Sequence, residues 1–240
     1  MIGLYHYAAL GLFGGFVALD LLFRAQPWPS VRGWRVMAVL SFLFYLAAAT
    51  FGPLMWDEWL GQYRLFDATA LPFLAQVAGG FVVLELGIYT WHRTMHNVPV
   101  LWRWFHQMHH SAERLDIWGA FWFHPFDSIA WALLGSLALV LGFGLSGEAA
   151  LVVNLMSLFP SMFQHANVRT PRWVGYFVQR PESHSLHHKR GHHANNYGDL
   201  PVFDMIFGTF ANPRDFEPHV GFHEGSSRQL GEMLRGKAIA

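Results

Sequence analysis

The 240-residue chain contains no cysteine. Disulfides, thiolate zinc sites, iron–sulfur clusters and cysteine nucleophiles are therefore excluded. Charge is also scarce: Asp, Glu, Lys and Arg make up 13% of the residues, about half the usual quarter share of a soluble domain. Sixteen basic residues balance sixteen acidic ones, which leaves no basic surplus for nucleic acid. The chain has no low-complexity tract, no lipidation motif and no retention tail. The first apolar run lacks a basic lead, so a cleaved signal peptide is not expected.

What the chain does hold is apolar. Hydrophobic residues reach 53%, aromatic residues 17%, and the mean hydropathy is +0.24. Five apolar stretches stand out, at about residues 2–23, 36–55, 71–91, 129–145 and 149–163. A spanning helix needs about 20 mostly apolar residues, with a range of about 17–25. The first four meet this length. The fifth is short and carries Asn154 and Pro160, and the run Gly144-Leu-Ser-Gly147 joins it to the fourth as a tight helical hairpin. The expected fold is all-α: an integral membrane protein of about four transmembrane helices, or three plus a helical hairpin. A helical region on the cytosolic side caps them. Within a single membrane domain, residues 1–70 form an N-terminal transmembrane hairpin, 71–212 a central region and 213–240 a C-terminal tail.

Basic residues set the orientation. Arg24, Arg32 and Arg35 occupy the first connection, whereas the second sets Asp57, Glu58 and Asp67 against Arg64. The N-terminus is therefore expected outside, with the first connection and the C-terminus inside. Seven tryptophans, Trp28, Trp34, Trp56, Trp59, Trp91, Trp102 and Trp104, sit near span ends, where an aromatic belt belongs.

Histidine is abundant, at fifteen residues. The pattern His-x-x-His-His occurs twice, at His106/His109/His110 and His184/His187/His188, although chance gives roughly 0.06 copies in a chain of this composition. The pair His92/His96 precedes the first copy. Imidazole is the commonest neutral metal ligand, and positions i, i+3 and i+4 share one helix face. Each triplet is thus expected to aim three nitrogens at one point. Eight imidazoles from three helices exceed what one ion takes, so two metal ions are expected. Nitrogen-only ligation suits redox iron with open positions for dioxygen, although imidazole also binds zinc, copper and nickel. His165 is expected to complete the site. His124 is open between a ligand, a hydrogen-bond donor behind the ligands and an interfacial residue. His192 and His193 lie in a polar loop, where solvation and function are equal readings, and His219 and His223 are expected at the surface. Pro99 is expected to break the helix that carries His96, and Ser183 to cap the helix of the last triplet. Glu85 is an intramembrane acid, which marks it as a functional candidate, though it could simply hold a His or Arg. Asp116, Asp127, Asp199 and Asp204 are candidates to orient ring nitrogens. The aromatic run Trp118, Phe121, Trp122, Phe123, with Trp131, is a candidate substrate entrance, with interfacial packing as the competing reading.

The three boxes His92-Arg-Thr-Met-His96, His106-Gln-Met-His-His110 and His184-Ser-Leu-His-His188 resemble those of the fatty acid hydroxylase / sterol desaturase superfamily. Further likeness lies in His124-Pro125, Gln164-His165-Ala-Asn167, Asn196-Tyr197-Gly198 and the segment Phe203–Phe210, so it covers about residues 71–212. Two departures stand out: Trp122 occupies a position where many members have Arg, and the spacer from His188 to Asn196 is short and includes His192-His193. The resemblance implies a membrane helical fold with a cytosolic di-iron centre held by His92, His96, His106, His109, His110, His184, His187 and His188 with His165. Zinc is a possible occupant as isolated. It also implies dioxygen as co-substrate, a lipid substrate that is hydroxylated or desaturated, and a separate electron donor (a ferredoxin or small haem carrier with its reductase). The absence of targeting signals favours a bacterial inner membrane over the endoplasmic reticulum. A carotenoid hydroxylase-type enzyme is the nearest alternative. A His-rich metal-binding or transport protein is the alternative of another class, but it would place ligands near the bilayer midplane, and nearly all His lie at or beyond one end of the spans.

Overall fold

The computed structural model describes residues 3–239. Ile2, where the first apolar stretch was expected to begin, lies outside them. The chain is all-helical, and four helices are long and apolar enough to cross a membrane. They are α1 (Leu4–Leu22), α2 (Trp34–Leu60), α3 (Phe73–Asn97) and α5 (Pro125–Gly142). Between α3 and α5, residues 99–110 form α4. It starts at Pro99, passes through a π-wound turn Trp102–His106 and ends at His110. The apolar α6 (Gly147–Phe163) is shorter, as expected. Three short α-helices follow among the described residues: α7 (Pro181–His187), α8 (Pro201–Ile206) and α9 (Leu230–Met233).

Local chemistry sets the element ends. Pro99 separates α3 from α4, as the break expected there requires: a proline cannot continue the preceding helix but starts a new one well. Between α5 and α6 the chain turns at Gly144 (φ +64°), where a side chain would strike the Phe66 carbonyl. Ser146 then caps α6 by accepting the Ala149 amide at 3.3 Å, which makes the hairpin read from the Gly-Leu-Ser-Gly run. Two expectations fail. Helix α2 continues to Leu60, through Pro53, so residues 56–60 are helix instead of connection. Ser183 does not cap α7: the helix starts earlier, at Pro181, with Arg180 as the flanking residue.

Two apolar clusters hold the helices together. One joins α1, α2 and α6 through Phe13, Phe16, Phe42, Phe121, Leu158 and Met162. The other joins α3 to the α5–α6 hairpin through Val77, Leu84, Ile88, Leu139, Leu145 and Val153. The outer face of α2 leaves Val36, Leu40, Leu43, Phe44, Phe51 and Leu54 exposed. These positions keep helical spacing, and so large an exposed apolar face belongs against lipid. The chain is thus an integral membrane protein. Trp34 is not part of an aromatic belt. It is 2% exposed and donates to Asp116 at 3.0 Å.

Residues 213–239 fold back under α4. Met233 packs with Trp34, Met108, Ala112 and Trp122, and Gln107 donates to the Lys237 carbonyl at 2.7 Å. The α4 segment that carries the first triplet is therefore covered on both sides.

Candidate metal centre

Nine imidazoles converge beyond one end of the spans, in two sets. His92, His96, His106, His110 and His187 form one; His109, His165, His184 and His188 form the other. Within each set the ligand-capable nitrogens lie within 4.8 Å of one another. These are the nine positions expected from the sequence, but the grouping differs. Neither triplet aims at one point. His106 and His110 join the first set and His109 the second, while His184 and His188 join the second and His187 the first. The reason is angular. At about 100° per residue, i+3 lies on the opposite side of i from i+4. A triplet therefore straddles two neighbouring points. The π-wound turn that ends at His106 shifts that ring further relative to the next two.

Hydrogen bonding fixes the tautomers. His92 Nδ1 donates to the Tyr197 carbonyl at 2.7 Å and His187 Nδ1 to the Asn195 carbonyl at 2.6 Å. His96 Nδ1 donates to the His193 carbonyl at 2.9 Å, and His165 Nδ1 to the Ser161 carbonyl at 2.8 Å. A carbonyl only accepts, so in each neutral ring Nδ1 holds the proton and Nε2 a lone pair. Yet the Nε2 atoms of His92 and His187 stand 3.0 Å apart. Two lone pairs at that distance repel, and a cation between them reverses the sign. In the second set His165 Nε2, also a lone pair, faces His109 Nε2 at 3.2 Å and His184 Nε2 at 3.0 Å. Adjacent nitrogens on a metal at about 2.0–2.1 Å are separated by about 2.8–3.4 Å, from square to tetrahedral angles. The observed separations fall in that range. His96 Nε2 and His110 Nε2 are buried with no partner among the described residues. The two clusters therefore form two metal sites, consistent with a dimetal centre.

Burial keeps these rings neutral. It pushes His106, His109, His110, His184, His187 and His188 well below the ordinary imidazole value, and neighbouring imidazoles add to the shift. His165 is pushed down to about 4 by burial. Neutral imidazole is the form that binds metal.

The surrounding residues act at one remove. Asp127 is fully buried and accepts from His106 Nδ1 at 3.2 Å, the carboxylate–histidine arrangement that orients a ligand ring. Changing Asp127→Asn is expected to weaken metal binding about 10- to 100-fold; titration of the metal-free protein with ferrous iron measures it. Asp204 touches no ring. It accepts the Tyr197 and Gly198 amides at 2.8 Å each and the Thr209 hydroxyl at 2.6 Å. That holds the loop whose Asn195 and Tyr197 carbonyls orient His187 and His92. Asn196 (φ +52°) anchors the same loop by donating to the Ser183 carbonyl at 2.9 Å.

Other candidates lie elsewhere. Asp116 binds Trp34 and Arg114, and Asp199 accepts from Ser161 and Gln164. Glu85 holds neither a His nor an Arg; it accepts the Ser157 hydroxyl at 2.9 Å. His124 belongs to neither set. Its Nδ1 accepts the Phe126 amide at 3.1 Å, so it caps α5. His219 and His223 are exposed. His193 is more than a loop residue: besides accepting from His96, its Nδ1 meets His110 Nδ1 at 3.0 Å. The unusual His-His dipeptide in the short spacer was the only sequence signal for it.

A narrow cavity of about 90 Å³ opens onto both sets, reaching His92, His106, His109, His165 and His184. Phe121, Phe123 and Trp131 line it, whereas Trp122 is buried and donates to Ser111. Trp118 packs instead on Phe13 and under Arg35. The expected aromatic entrance is thus divided between cavity wall and packing.

The family model for fatty acid hydroxylase matches residues 77–209, more than half of the chain and the whole of both His sets. The chain belongs to the fatty acid hydroxylase family. It is similar to the ornithine lipid hydroxylase OlsE of Rhizobium tropici, with 31% identity over 75% of this chain and 54% of that protein. It is also similar to the sphingolipid C4-hydroxylase sur2 of Schizosaccharomyces pombe, at 25% identity over 66% of this chain and 61% of that one. A Delta(7)-sterol-C5(6)-desaturase of Nicotiana tabacum is 29% identical, over 62% and 55%. The chain spans a little over half the length of these relatives. No solved structure matches it.

Proposed function

We propose that this family member is a membrane non-haem di-iron oxygenase that uses dioxygen to hydroxylate or desaturate a C–H bond of a lipid. The observation that carries the reading is one cavity, with apolar side chains on much of its wall, facing two all-histidine sets at once. His92, His96, His106, His110 and His187 hold one iron, and His109, His165, His184 and His188 the other. When bound, the irons supply the redox chemistry that activates dioxygen. The protein positions and excludes. Asp127 and the Asn195, Tyr197, His193 and Ser161 carbonyls fix the ring planes. Leu84, Ile88, Phe121, Phe123 and Trp131 give the cavity one apolar side that takes an alkyl chain and keeps bulk water out. Electrons come from a separate ferredoxin or small haem carrier. The His sets face the cytoplasm of a bacterial inner membrane, since basic residues cluster at that end.

The relatives act on an ornithine lipid, a sphingolipid and a sterol by their names, which supports a membrane lipid as substrate. The test is incubation of the iron-loaded, reduced protein with extracted bacterial lipids under ¹⁸O₂. A lipid that gains one labelled oxygen establishes hydroxylation, and one that loses two hydrogens establishes desaturation. No change in any lipid, with both irons present and reduced, would contradict the proposal.

A further inference from the structure

The cavity at the metal sites does not stand alone. A second cavity of about 450 Å³ lies further along the bundle, lined by Tyr5 and His6 of α1, Thr50 and Asp57 of α2, and Ser136 and Leu151 of the hairpin. The N-terminal end of α1 and the C-terminal end of α2 place it toward the end of the spans opposite the metals. Four residues line both cavities: Tyr45, Trp131, Gly135 and Asn154. The two spaces therefore adjoin along the helices, and these four residues form the waist between them.

Helix α6 carries polar residues down one wall of the metal-side space. Asn154, Ser157, Ser161 and Gln164 all line the metal-side cavity and keep helical spacing, ending beside His165. Most of their polar atoms are committed. Ser157 donates to Glu85 at 2.9 Å, and Ser161 and Gln164 donate to Asp199. Asn154 is different. Its Nδ2 donates to the Ala150 carbonyl at 2.8 Å, but its Oδ1 has no hydrogen-bond partner among the described residues. The same holds for the Tyr45 hydroxyl across the waist. A polar group inside a membrane bundle is costly unless partnered, and here two stand where the two cavities meet.

We infer that Tyr45 and Asn154 form a clamp for a neutral hydrogen-bonding group of the substrate, one that both donates and accepts: an amide or hydroxyl within an acyl lipid. The inference rests on the lipid oxygenase reading and names the substrate class more closely. Eleven residues separate Asn154 from His165, about 16 Å along a helix. The clamp is thus a ruler. It holds the polar group at a set distance from the metals, and the alkyl segment between them spans the metal-side cavity. A plain hydrocarbon chain has no such anchor.

Binding tests this without turnover. Trp131 sits at the waist, so its fluorescence reports occupancy when quenched by a bound bromine atom. The probes are a terminally brominated long-chain amide and the brominated alkane of equal length, added to the full chain in nanodiscs, with Trp131→Phe as the background. The amide is expected to half-saturate the quench at about tenfold lower concentration, the worth of one net hydrogen bond. In Asn154→Leu that preference falls to about one, with alkane binding retained. Tyr45→Phe, which removes a single oxygen, lowers the preference part of the way and serves if the leucine variant does not fold. An undiminished amide preference in Asn154→Leu or in Tyr45→Phe, or no preference in the wild type, would overturn the clamp. Loss of ¹⁸O incorporation with the preference intact would count against the oxygenase reading alone.

Discussion

Replacing His187 by alanine is expected to remove one of two metal ions and to abolish turnover, a loss larger than the 10- to 100-fold that an orienting partner costs. The informative comparison is between double variants. His187 and His188 are adjacent in sequence but belong to different sets. His187 and His110 are distant in sequence but belong to the same one. His187→Ala/His110→Ala should therefore still bind one metal ion per chain, through His109, His165, His184 and His188. His187→Ala/His188→Ala should bind none firmly, although both changes fall in one box. Metal analysis of the purified variants decides it. If metal is lost box by box, with the double change in one triplet leaving a whole ion behind, the two-set arrangement is wrong.

The second large effect is on stability. Arg180 and Glu182 are each 1% exposed and their charged ends lie 3.1 Å apart. Arg180 also donates to the Thr170 hydroxyl and carbonyl and to Asn212, and Glu182 accepts the Thr170 amide at 2.8 Å. The pair ties the start of α7, and with it the last triplet, to residues 170 and 212. Arg180→Met leaves the Glu182 carboxylate buried without its cation. Breaking such a pair costs about 3–5 kcal/mol, a shift in Tm of roughly 6–20 °C for a chain of this size. Removing both charges, as Arg180→Met/Glu182→Leu, should recover much of the loss, because the double change leaves no orphan charge. Thermal unfolding in detergent checks it: a double variant no more stable than the single one would show that the ion pair is not the source.

The spans were legible because a membrane helix declares itself in continuous hydropathy; four of the five stretches match long helices to within a few residues at most ends. The exception at residues 56–60 is instructive. Asp57 and Glu58 read as a connection, but Trp56 donates to Ser136 at 2.8 Å and holds α2 against α5, so the helix continues. The nine imidazoles were legible from their spacing. Their division into two sets was not, because it depends on how far three helices rotate about their own axes, and the π-wound turn before His106 has no signature in the sequence. The roles of the acids were likewise hidden. Asp127, Asp199 and Asp204 look equivalent in the sequence, but one meets a ring, one meets a serine and a glutamine, and one meets backbone amides. Long-range contact decides such roles, and spacing carries no information about it.

The central claim is that the histidines build two separate all-nitrogen metal sites that share one cavity. Anomalous scattering measured at the iron edge on crystals of the iron-loaded protein tests it most directly. Two peaks per chain are expected, one surrounded by His92, His96, His106, His110 and His187 and the other by His109, His165, His184 and His188. A single peak drawing ligands from both sets, or iron bound away from these nine residues, would contradict it.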